Sequence, residues 1–267
     1  MTVAWRRFAN GPYPLVACLI GLLLLWEGAS YIITNAHVTL AQSKLPYPHL
    51  ILGSIIQNWD TLLNAVWLTG RSAVVGLLLG TIFGVFVAVL LTQSRIAERS
   101  LSPYLVASQM IPTLALAPIL YGILREENLT KMCVGAYITF FAIAINTMKG
   151  LRNVSPGALD LMTSYAAKRW QVYALLRLPA AAPYFFTGLK IAGPLSVIGA
   201  IVVELMGSKS GLGYLILATQ YFGSAQRYYL WAAILCTAGL GLLFSGAAGL
   251  LERVITPWQP EFRSKTK

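Results

Sequence analysis

The chain has 267 residues, of which 57% are hydrophobic and only 11% charged. A soluble domain carries about 25% charged residues, so this chain cannot clothe a water-facing surface and is expected in a membrane. Its net charge of +11 does not point to nucleic acid, because the basic residues sit in short loops between apolar runs.

Trp5-Arg6-Arg7 precedes an apolar run over about residues 13–33. It exceeds a usual signal-peptide core and predicts a first membrane span. Glu27 lies in it near one end. The polar stretch 35–60 holds Leu45-Pro46-Tyr47-Pro48 and an amphipathic piece over 49–59. That piece reads as an interfacial helix outside the second span. His37 and His49 lie here alone, so no metal site is expected.

The second span covers about 62–91. Its Gly76, Gly80 and Gly84 recur at four-residue intervals. That spacing puts them on one helix face and predicts close packing of another helix. Arg71 lies early in the span, and Arg95 and Arg99 mark the short loop after it. The third span, about 101–124, carries Pro103, Pro112 and Pro118. Prolines free backbone carbonyls, which in a membrane must face protein or a water-lined path. Arg125-Glu126-Glu127-Asn128 forms the next turn.

The fourth span, about 132–148, ends at Asn146-Thr147, with Lys149 and Arg152 after it. The fifth, about 184–206, contains Lys190 and Glu204. A loop with Gly207, Gly211, Gly213 and Gln226-Arg227 follows. The sixth covers about 229–251, and the tail is polar and basic. The class is therefore all-α, with six transmembrane helices in one domain over residues 1–267. A β-barrel would instead show strands of about ten residues with alternating polarity.

Charge sets the expected orientation. With the amino terminus inside, Arg6, Arg7, Arg95, Arg99, Lys149, Arg152, Lys168, Arg169, Arg177, Arg253, Arg263, Lys265 and Lys267 face the cytoplasm. Only Lys44, Arg125, Lys131, Lys209 and Arg227 fall outside. This asymmetry predicts both termini inside.

Cys18, Cys133 and Cys236 lie in apolar stretches, and their odd number argues against a disulfide framework or a zinc site. No Gly-x4-Gly-Lys-Ser/Thr loop occurs, so any ATP used must bind another chain. No acid, base or metal constellation suggests catalysis.

Residues 156–183 form an island of charged and aromatic groups on the cytoplasmic side. Tyr165, Trp170, Leu175 and Leu176 are spaced to share one helix face, with Lys168 and Arg169 beside them. Leu178-Pro179 is expected to stop that helix, since proline lacks an amide hydrogen. A solvated amphipathic helix and a docking helix for a partner both fit this pattern.

The segment resembles the cytoplasmic signature of the membrane subunits of bacterial ABC importers. That signature is Glu-Ala-Ala, three residues, Gly, nine residues, an aliphatic residue, any residue, then Leu-Pro. Asp160-Leu161-Met162 stands for the triplet and Ala166 for the glycine. Leu176 follows after nine residues, then Arg177, Leu178 and Pro179. The spacing matches throughout and the Leu-Pro end matches in identity; the triplet and the glycine do not. Further likeness to the nitrate/sulfonate/taurine branch comes from Arg169-Trp170-Gln171-Val172, Pro183-Tyr184, Thr187-Gly188-Leu189, Glu204-Leu-Met-Gly207, Gly211-Leu-Gly213, and Pro112 with Pro118.

The resemblance implies a type I importer permease in the bacterial inner membrane. Its partners would be cytoplasmic ATP-binding subunits carrying ATP and Mg, an extracytoplasmic substrate-binding protein, and a second permease copy. No cofactor would bind this chain directly. Asp160, Leu161, Met162, Tyr165, Ala166, Ala167, Lys168, Arg169, Trp170, Leu178 and Pro179, within a coupling segment over about 156–179, would contact or transmit motion from the ATPase. Gln109, Met110, Asn146 and Thr147 are candidates for the translocation path. Glu204 reads as structural, tying the fifth span to the glycine-rich loop. The cargo would be nitrate, a sulfonate, taurine or a vitamin-like heterocycle. The alternative is a standalone secondary transporter or channel, which needs ion-coupling charges or an inverted repeat.

Overall fold

The structure is a computed structural model that describes residues 13–36, 44–221 and 227–259. The basic flanks at Arg6, Arg7, Arg263, Lys265 and Lys267, with His37 and Gln226, lie outside the described residues. Among the described residues, eleven helices follow in order: α1 (Tyr13–Asn35), α2 (Pro48–Gln57), α3 (Trp59–Gln93), α4 (Arg95–Ser108), α5 (Thr113–Leu124), α6 (Glu127–Arg152), α7 (Pro156–Ser164), α8 (Arg169–Val172), α9 (Leu178–Glu204), α10 (Leu212–Tyr221) and α11 (Arg227–Ile255). A π-helical turn, Tyr173–Arg177, joins α8 to α9. Among the described residues, five helices are long and apolar enough to span a membrane, and α4 with α5 makes a sixth, bent candidate.

The chain divides into two compact units. One takes residues up to Leu63 with Leu215–Leu235, the other Asn64–Tyr214 with Cys236–Lys267. In the first unit, the turn before α2 is tied to α1. Trp26 Nε1 donates to the Pro46 carbonyl at 3.1 Å, and Ser30 Oγ donates to it at 3.3 Å. Glu27, isolated in the sequence, meets His49 Nδ1 at 2.8 Å.

In the second unit α6 is the central helix. A β-carbon at Gly76 of α3 would come 3.1 Å from Gly135 Cα, and one at Gly199 of α9 would come 2.9 Å from that same atom. Backbones that meet this closely gain packing and weak polar contacts, which hold helices together where lipid removes the hydrophobic drive. The row continues on α3. At Gly80 a β-carbon would fall 1.9 Å from Thr139 Oγ1, and at Gly84 it would fall 2.6 Å from the Phe140 carbonyl. All three glycines of the four-residue repeat therefore lie against α6.

Three elements differ from the sequence reading. The third span is not one straight helix: α4 and α5 meet at 91° across residues 109–112. Pro112 caps α5 in an extended conformation, and it withholds both the amide and the helical freedom of its predecessor. The loop after α9 is not irregular throughout, because it contains α10. The third difference lies in the charged island.

Candidate functional site

The island is two helices rather than one. Ser155 opens α7, its Oγ accepting from the Ala158 amide at 3.4 Å, and Pro156 occupies the first turn where its missing amide costs nothing. The helix ends at Ser164. Ala166 then adopts φ +50°. Its amide donates to Thr163 O at 2.9 Å, and the Ala167 amide donates to Met162 O at 3.0 Å. These two bonds make a Schellman termination with Ala166 in the left-handed position. Glycine takes that conformation without strain, whereas a β-carbon crowds the following carbonyl. The left-handed turn corrects the expected face: it puts Tyr165 on a different helix from Trp170, Leu175 and Leu176.

The chain restarts at α8, where Gln171 Oε1 accepts the Lys168 amide at 2.7 Å. Leu178-Pro179 does not stop this helix. The Leu178 amide reaches back five residues to Tyr173 O, which makes room for a proline that donates nothing. The helix from Arg169 to Glu204 is therefore continuous over 36 residues. Leu178-Pro179 is a joint within a rod.

Tyr165 and Trp170 flank the left-handed turn and are 77% and 65% exposed. Asp160, Ala166, Lys168 and Arg169 are exposed as well, as are Leu161 and Leu178, while Met162 and Ala167 are half-buried. The segment thus presents apolar, aromatic and basic groups together.

The candidate path residues differ in exposure. Gln109 and Met110 sit exposed at the α4–α5 bend. Asn146 Nδ2 donates to its own helix at Ala142 O, 2.8 Å away. Thr147 is buried.

A polar cluster lies at the far end of α9. Glu204 is fully buried. Its carboxylate accepts from Thr69 Oγ1 at 2.9 Å and from the Gly213 amide at 2.8 Å. Lys131 Nζ, itself 3% exposed, lies 3.3 Å from Glu204 and 2.6 Å from Glu127. Thr69 Oγ1 in turn accepts the Leu212 amide at 2.9 Å. A buried charge persists only when paired and hydrogen-bonded, and here three other helices supply the partners of Glu204. Sequence reading tied Glu204 to the glycine loop but missed Lys131 and Thr69. They are distant in the chain, and Lys131 reads as a loop charge. Lys190, the other charge within α9, pairs with Glu252 of α11.

Residues 80–257 match the family model for the binding-protein-dependent transport system inner membrane component. The chain belongs to that family. It is 32% identical to the formylaminopyrimidine transport permease protein ThiX of Halalkalibacterium halodurans, over 89% of this chain and 92% of that one. It is 28% identical to the putative aliphatic sulfonates transport permease protein SsuC of Escherichia coli, over 92% of each. A solved amino acid ABC transporter matches with a TM-score of 0.59 at 15% identity, covering 77% of this chain and 97% of that one. This last likeness shows the fold.

The chain is the multi-pass permease subunit of an ATP-driven importer of small solutes. It is not itself an enzyme, since ATP hydrolysis belongs to a separate subunit of these systems. The standalone transporter reading does not fit. The ATP-binding subunit and the substrate-binding protein are the partners that membership implies.

Proposed function

We propose that residues 156–179 are where the ATP-binding subunit docks, and that both chain termini face the cytoplasm. The observation that carries this is the pair of exposed rings, Tyr165 and Trp170, on either side of the left-handed Ala166. Large exposed aromatics are favoured anchors for a protein partner. Asp160, Leu161 and Met162 supply the first helix of the docking surface, and Ala167, Lys168 and Arg169 supply the turn and the restart. Leu178-Pro179 links the surface rigidly to α9, so displacement of the segment passes into the membrane. ATP and Mg sit on the partner.

A second permease copy completes the assembly by twofold symmetry. The translocation path runs past the α4–α5 bend, with Gln109 and Met110 facing it. Asn146 and Thr147 act in packing. The cargo is a small solute of the range that the relatives' names span, from pyrimidine-type rings to small anions. The separate binding protein makes the choice among them.

The test is co-purification. A complex carrying Tyr165→Glu is expected to lose its ATP-binding subunit while the permease stays folded. Full retention of that subunit by both Tyr165→Glu and Trp170→Glu would contradict the assignment.

A further inference from the structure

A cleft of about 290 Å³ opens beside the restart of the segment, lined by Thr92, Gln93, Arg169, Tyr173 and Arg177 among others. The docking reading uses Arg169 but gives Arg177 no role. Arg177 lies over the Tyr173 ring, 4.9 Å from its centroid, and its Nη1 donates to the Tyr173 hydroxyl at 3.4 Å. That hydroxyl donates onward to Thr92 Oγ1 at 3.3 Å. The guanidinium is thus held in place with most of its five donors still open. Among the described residues, no carboxylate pairs with Arg169 or Arg177. Arg169 lines the same cleft, and one held guanidinium with a second arginine beside the same space suits a phosphate group, which accepts paired N–H donors.

The position in the rod decides the source of that phosphate. The Arg169–Glu204 helix is about 54 Å long at 1.5 Å per residue. The hydrocarbon core is about 30 Å thick. The rod must therefore extend beyond the core. Its two arginines occupy the first nine residues, just before the apolar run that begins at Leu178. Leu175, exposed between the two arginines, gives this stretch the apolar and basic mixture found at headgroup level. Protein docking alone would not require an arginine at the edge of the hydrocarbon.

We propose that Arg169 and Arg177 bind the phosphate of an anionic phospholipid headgroup in the cytoplasmic leaflet. The lipid pins the restart of the coupling segment at membrane level, so that force applied at Tyr165 and Trp170 turns the rod rather than lifting it. This inference rests on the docking and orientation reading above.

The test uses the assembled complex in nanodiscs of phosphatidylcholine, with and without phosphatidylglycerol. Retained lipid is counted by native mass spectrometry. Wild type is expected to retain phosphatidylglycerol in preference to phosphatidylcholine. Arg177→Gln and Arg169→Gln should each weaken retention about tenfold, the loss of one charge-assisted contact. Arg177→Lys should restore part of it, and Arg99→Gln, an exposed basic residue outside the cleft, should change nothing. In a second arm inorganic phosphate is titrated into the discs containing phosphatidylglycerol. Failure of free phosphate to displace the lipid supports the headgroup as the source. Displacement that depends on Arg177 makes free phosphate the natural occupant and overturns the lipid assignment. Retention indifferent to both arginine substitutions overturns the site. Loss of the ATP-binding subunit from Arg177→Gln in phosphatidylcholine alone would give the cleft to that protein instead. Whether wild type holds its ATP-binding subunit is read in the same spectra, so a failure of the docking reading is seen separately.

Discussion

Gly211 lies so near Glu204 that a β-carbon on it would fall 2.2 Å from the carboxylate oxygen Oε1. Its φ of +105° is also one that side chains rarely adopt. The glycine-rich loop is therefore folded onto the buried carboxylate, and the carboxylate fixes the loop. Gly211→Ala should destabilise the permease by about 2–4 kcal/mol, from strain and displaced hydrogen bonds together. Thermal unfolding in detergent reads this directly. An unchanged midpoint would mean that the loop does not hold this conformation.

Lys131 is the counter-charge of that cluster. Lys131→Met should leave the buried Glu204 without its cation and destabilise by about 3–5 kcal/mol. Adding Glu204→Gln should recover part of the loss, because the uncompensated charge is gone. A double-mutant cycle measures the coupling, and strict additivity would deny the contact.

Ala166 occupies a position that favours glycine. Ala166→Gly is expected to stabilise the α7 termination by about 1 kcal/mol. Ala166→Val should cost at least as much. Hydrogen exchange of the Ala166 and Ala167 amides should slow in the first variant and quicken in the second. The opposite order would remove the left-handed turn from the account.

The glycine row of α3 divides by what each residue meets. A β-carbon at Gly84 would strike the Phe140 carbonyl, which no side-chain change can move. One at Gly80 would strike chiefly Thr139 Oγ1, though the Ala136 carbonyl is also close at 2.8 Å. Gly80→Ala should therefore be partly rescued by Thr139→Ala, whereas Gly84→Ala should find no such rescue. Thermal midpoints of the four variants test this ordering.

Much of this architecture is legible in the sequence because the bilayer restricts it. Long apolar runs must be helices, and so α1, α3, α6, α9 and α11 follow from hydropathy alone. The four-residue glycine repeat likewise marks a packing face, although not its partner. What is not legible depends on backbone detail. The 91° bend needs Pro112 to act as a helix start rather than a kink, and the same residue type serves both. Leu178-Pro179 reads as a stop because the π turn that accommodates it leaves no mark in composition. The break at Ala166 is hidden because alanine favours helix, and only the glycine at the matching position of the signature points to it. Helix α10 is masked by the glycines before it. The Lys131–Glu204 pair joins residues over seventy positions apart, which no local pattern reveals.

With the ATP-binding subunit docked on residues 156–179, this permease is expected to move solute only when that subunit acts on them. The most direct measurement is solute uptake into proteoliposomes holding the full complex and its binding protein, with and without ATP, for wild type and for Tyr165→Glu. Uptake is expected to require ATP in wild type and to disappear in the variant together with ATPase association. Uptake that continues without ATP, at the same rate in both proteins, would contradict this and make the chain a self-sufficient transporter.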